Sequence, residues 1–136
     1  MAAAPEQFRL KTRSWSHVAG VYDGKSVRLF INGKEVGRSS ASGSRLANAL
    51  PLVVGGDVAA DGTMTSPFEG RLEEVRLSKI ARYTQDFAPL DRHTPDADTL
   101  LLLPCDVAVG SFLPDRSGQK AHAALTGSLK LAPSDR

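Results

Sequence analysis

Trp15-Ser16-His17-Val18-Ala19-Gly20-Val21-Tyr22-Asp23-Gly24 and, two residues on, Val27-Arg28-Leu29-Phe30-Ile31-Asn32-Gly33-Lys34-Glu35-Val36-Gly37 decide how this chain folds. In the first run Trp15, His17, Ala19 and Val21 share one parity, and Ser16, Val18, Gly20 and Tyr22 the other. Successive strand side chains point to opposite faces, so apolar groups on both parities predict an inner strand, with Trp15 in the core. Asp23-Gly24-Lys25 then reads as a hairpin turn. Asn32-Gly33 is the strongest turn signal in the chain, because both residues tolerate the positive φ of a type I′ turn. Residues 15–37 are therefore read as a three-stranded antiparallel meander.

Outward from this block the pattern stays short and broken. Gln7 to Arg13 is an extended candidate, and Ser39 to Asn48 reads as a loop. Leu50 to Val54 is an apolar run stopped by Gly55-Gly56, and Asp57 to Pro67 is a second loop. Phe68 to Leu77 reads as a strand whose apolar parity switches near Glu73-Glu74. Ser78 to Tyr83 suits one helical turn, and Pro89 and Pro95 make Phe87 to Asp98 irregular. Leu100 to Leu103 is a buried strand closed by Pro104. Residues 106–120 read as loop and Ala123 to Leu131 as a last weak strand. No sustained 3.6-residue period occurs, so seven to nine short strands predict an all-β antiparallel sandwich or barrel.

Composition narrows the function classes. At 136 residues one domain is expected, large enough to bury a core unaided. The single cysteine, Cys105, excludes an internal disulfide and every Cys-rich zinc module. Apolar runs of four or five residues fall far short of the roughly 20 that span a bilayer. Met1 to Pro5 lead into no apolar h-region, so the chain as written carries no signal peptide. Net charge is +2, but residues 1–50 hold eight Lys/Arg against three Asp/Glu, and residues 51–100 hold five against nine. Arg9, Lys11 and Arg13 ahead of Trp15 are the best basic patch, and they read as a solvated face rather than a nucleic-acid surface.

The order of these blocks carries a resemblance. The two quoted runs, then Leu52-Val53-Val54-Gly55-Gly56, Phe68-Glu69-Gly70-Arg71-Leu72-Glu73-Glu74-Val75-Arg76-Leu77 and Ala81-Arg82-Tyr83, resemble the central and late strands of the laminin-G-like, concanavalin A-like jelly rolls. The tail, Leu100-Leu101-Leu102-Leu103-Pro104-Cys105-Asp106 followed by Asp115-Arg116-Ser117-Gly118 and Leu125-Thr126-Gly127, is similar to the opening of such a domain, with Cys105 where Phe is usual. The family's early strands are missing ahead of Trp15. The chain is thus expected to be one laminin-G-like unit over residues 1–136, partial or permuted. Residues 1–97 give its central and late strands, and the tail 98–136 resembles its opening. The partial form would be a slice of a longer protein.

The resemblance implies a non-catalytic binding or adhesion module for carbohydrate or protein, extracellular or periplasmic, inserted in no membrane. The alternative is a structural or oligomerisation fragment without its own ligand, and the uncovered strands suit a homodimer. A glycoside hydrolase ranks below both. Its two carboxyls must flank one bond, and the neighbouring Glu73 and Glu74 would point to opposite faces of a strand. Read as structural groups, they are a surface residue and an anchor for Arg71 or Arg76. His17, His93 and His122 are too scattered for a metal site, and Cys105 reads as a buried small hydrophobe. Family members bind calcium at a rim, and here the weak candidates are Asp57 and Asp61, hard oxygen donors after Gly55-Gly56. No other cofactor, no catalytic residue and no ligand-binding residue is assigned.

Overall fold

The computed structural model describes residue 6 and residues 9–43, 48–127 and 129–133. Among them lie nine antiparallel strands and no α-helix. β1 (Val18–Tyr22), β2 (Ser26–Ile31) and β3 (Lys34–Ser40) form one sheet in that order. β4 (Asp57–Val58) pairs with β5 (Met64–Thr65), β6 (Val75–Ser78) with β7 (Thr99–Leu103), and β8 (Phe112–Leu113) with β9 (Ala123–Ala124).

The meander forms where the turn chemistry places it. Asn32 and Gly33 hold φ of 50° and 77°, the left-handed pair that the β2–β3 turn requires. At the other hairpin the Asp23 carboxylate accepts from the backbone N–H groups of Lys25 and Ser26 and pairs with Arg28 at 2.8 Å. The register slips between Leu29 and Phe30, so Val36 is the extra residue of a bulge and turns inward, buried.

Among the described residues, cover is concentrated on one face of this sheet. Phe30, with 0% exposure, stands at the centre of the covered face beside Val21 and Val36. Val18 and Val27 on the opposite parity are exposed, which corrects the inner-strand reading. Trp15 precedes β1 and is half-buried, so the core centres on Phe30 and not on Trp15.

What covers Phe30 is the long connection from β6 to β7, residues 79–98. Its base is closed by Lys79 N–H donating to the Asp98 carbonyl and by a two-pronged Arg82–Asp96 pair at 2.8 and 2.5 Å. Its middle reaches the meander: the Thr84 carbonyl accepts from Arg28, Asp86 from Lys34 Nζ and Glu35 N–H, and the Gly33 carbonyl from Phe87 N–H. The expected helical turn at Ser78 to Tyr83 is absent, because Tyr83 leaves the local path to stack on Phe87 at 3.6 Å. Residues 79–98 act as a strap joining the two sheets.

β7 is buried except at Leu100, and a turn guards its outer edge. The Asp115 carboxylate accepts from the N–H groups of Leu102, Ser117 and Ala121 and from the Ser117 hydroxyl, while Arg116 N–H donates to the Leu102 carbonyl. Burial opposes the charge on Asp115, but those donors outweigh it and hold its pKa at about 2.

Other expectations are corrected. Leu50 to Val54 is irregular and largely exposed, and the loop reading of Asp57 to Pro67 gives way to the β4–β5 hairpin. The strand read over Phe68 to Leu77 shrinks to β6, and the last strand shrinks to β9. Residues 9–13 are not strand, while Gln7, Phe8, residues 44–47 and Ser128 lie outside the described residues.

Candidate functional site

Two places gather chemistry. The first is a cluster under the strap. Asn32 fixes His17: its side-chain oxygen accepts from His17 N–H at 2.9 Å, and its own N–H donates to the His17 carbonyl. The His17 ring meets Phe87 edge-on at 5.5 Å and lies 6.0 Å from the ring of His93. His93 is clamped on Glu74, which accepts from its backbone N–H at 3.1 Å and contacts its ring Nδ1. Beside it Arg92 donates to Glu73 at 3.1 Å and to the Pro104 carbonyl. Arg76 on β6 donates to the Tyr83 hydroxyl at 2.7 Å.

This arrangement revises the reading of both acids and histidines. Glu73 and Glu74 lie ahead of β6, so strand alternation does not separate them, and both turn to the strap. They anchor Arg92 and His93 of the strap. His17 and His93, 76 positions apart, are neighbours. One signal was available: the adjacent acids Glu73-Glu74 are matched in order by the adjacent Arg92-His93. His122 stands elsewhere, its Nδ1 accepting from Asp115 N–H. Burial first, then the neighbouring His93 and Arg76, push the His17 pKa below its ordinary value against the pull of Glu74.

The second place is an open groove beside the β4–β5 hairpin, about 520 Å³, lined by Leu10, Gly55, Gly56, Asp57, Ser66, Phe68 and Leu72. Phe68 is 54% exposed there. Its ring lies over Gly70, where a Cβ would come within 2.5 Å of the ring, so the absence of a side chain at Gly70 makes room for it. Gly56 permits a similar approach by Met64, and Phe68 N–H donates to the Gly55 carbonyl. Ser66 holds a left-handed φ of 46° on the groove wall.

Asp57 lines the groove, with its carboxylate accepting from Val58 N–H. Asp61 sits at the hairpin tip, bonded by the Thr63 hydroxyl at 2.6 Å and by Thr63 N–H, which together hold its pKa below the usual carboxylate value. Among the described residues no three His, Cys, Asp or Glu groups are placed to hold a metal. Cys105 is half-buried, and burial pushes its thiol pKa up. No helix among the described residues is long and apolar enough to cross a membrane.

A family model described as the concanavalin A-like lectin/glucanases superfamily, of laminin-G type, matches residues 2–86. The chain belongs to this superfamily. Its laminin-G-like members are generally binding modules, non-catalytic and typically extracellular. The all-β antiparallel fold agrees with the superfamily's jelly-roll sandwich. The chain is also similar to pappalysin-1 of Mus musculus, 27% identical over 123 residues that cover 84% of this chain. It spans only 7% of that relative's length. No solved structure matches it.

Proposed function

We propose that this chain is a non-catalytic binding or adhesion module of an extracellular or periplasmic protein, taking carbohydrate or protein in the groove beside β4–β5. The observation that carries the reading is the contrast between the two sites. The groove is open, with an exposed aromatic platform, Phe68, flanked by the Asp57 carboxylate and the Ser66 hydroxyl. The adjacent carboxylates Glu73 and Glu74, where a hydrolase would need two free acids facing one bond, are engaged with Arg92 and His93. The test is paired arrays of glycans and extracellular protein fragments, probed with the parent and with Phe68→Ala. Saturable binding to one ligand class, lost in Phe68→Ala without loss of fold, supports the groove. Binding indifferent to that change moves the ligand elsewhere.

The less covered face of the meander favours a second reading, self-association. Val18 and Val27 are exposed on it, and β1 carries no charged residue to discourage pairing at its edge. Light scattering during size exclusion is expected to give a dimer; a monomer at every concentration overturns it. The pairing of β7 with β6 supports taking residues 1–136 as one unit closed by its tail. A chain ending before Asp98 is then expected to lose its fold, and an unchanged fold would leave the tail a linker.

A further inference from the structure

We propose that His17, Glu74 and His93 form an acid-sensitive latch that releases residues 89–95 of the strap when His17 takes up a proton. Three observations converge on it. The side chains of His93 and Glu74 are only 8% and 10% exposed, and Glu74 grips His93 through both backbone and ring. Among the described residues His17 Nδ1 and His93 Nε2 are buried with no hydrogen-bond partner, so a proton on either atom meets no acceptor. The strap they secure covers Phe30 and holds the stacked Tyr83–Phe87 pair.

The charges facing the cluster fix the direction. From the residues entering β6 come Glu73 and Glu74, from β6 itself Arg76, from the strap Arg92 and Tyr83, from the turn after β7 the Cys105 thiol, and from the β2–β3 turn the neutral Asn32. Glu73 is matched by Arg92. A proton on His17 is drawn by Glu74, but that carboxylate is already engaged by His93. It stands 6.0 Å from His93 against Phe87 and Tyr83, where burial and Arg76 already oppose it. Detaching residues 89–95 lets the His17 imidazolium reach water. The far clips, Thr84 on Arg28 and Asp86 on Lys34 and Glu35, contain no group that titrates near pH 6.

Amide hydrogen exchange of the full chain at pH 7.5 and 5.5, corrected for intrinsic rates, tests the latch. The N–H of His93 is expected to open up to about tenfold more at the lower pH, while those of Phe87 and β2 do not. His17→Gln, which leaves the backbone bonds to Asn32 in place, should abolish that difference. An equal rise at His93 and in β2 overturns the proposal, as does no rise, or a rise that survives His17→Gln. Should that variant fail to fold, proton NMR of the unmodified chain decides. The His17 ring and the His93 amide must titrate together, and separate midpoints overturn the latch.

Discussion

Placing a methyl group on the β2–β3 turn tests how the strap is held. In Gly33→Ala the new Cβ would sit 1.8 Å from the Phe87 carbonyl oxygen and 3.0 Å from Pro89 Cδ, so the strap backbone must move. Gly24 has a similar φ, 90° against 77°, but open space around its Cβ position. Both alanines carry the left-handed penalty of about 1 to 2 kcal/mol. Only Gly33→Ala also displaces the 2.9 Å bond from Phe87 N–H to the Gly33 carbonyl, worth about 0.5 to 1.5 kcal/mol. Lost cover over Phe30 adds to this. Urea unfolding should therefore show Gly33→Ala roughly 3 kcal/mol less stable than the parent, and Gly24→Ala less than 2. Equal losses would mean that Phe87 does not rest on the turn.

Phe30→Ala should cost about 3 to 5 kcal/mol as a fully buried aromatic, and the half-buried Trp15→Ala clearly less; the reverse order in thermal melts would place the core at Trp15. Asp115→Ala strands the buried Leu102 N–H and two further donors, so a loss of roughly 2 to 4 kcal/mol is expected, and a neutral result refutes the edge-guarding role. Because the folded-state pKa of Asp115 lies at about 2, below the unfolded value, its contribution is complete above the ordinary carboxylate range and fades as pH falls towards 2. Acid titration of Asp115→Asn should lack that part of the decline. If Asp57 and Asp61 bind calcium, an excess of about a hundredfold over Kd adds about 2.7 kcal/mol, and a melting temperature unmoved by calcium removes the proposal.

What the sequence made legible was local. The turns at Asp23-Gly24 and Asn32-Gly33 require particular backbone angles, so residue identity alone places them and the meander between them. The family followed from the order of such blocks. Hidden were the features made by distant segments. Two-sided apolar patterning over Trp15 to Tyr22 spoke of cover on both faces, whereas the strap covers only the face of Phe30. Tyr83 read as helical from its spacing to Ile80, but stacking on Phe87 decides its position. The groove eluded pattern reading because Phe68 and Gly70 matter through ring-over-backbone contact, which has no period. His17 and His93 met only through the strap's path.

The proposed role is recognition without turnover. It is tested most directly by incubating the chain with the ligand that the arrays select and following both binding and ligand mass. Saturable binding and a ligand of unchanged mass are expected, for the parent and for Glu74→Gln alike. Cleavage products that appear with the parent and vanish in Glu74→Gln would contradict it.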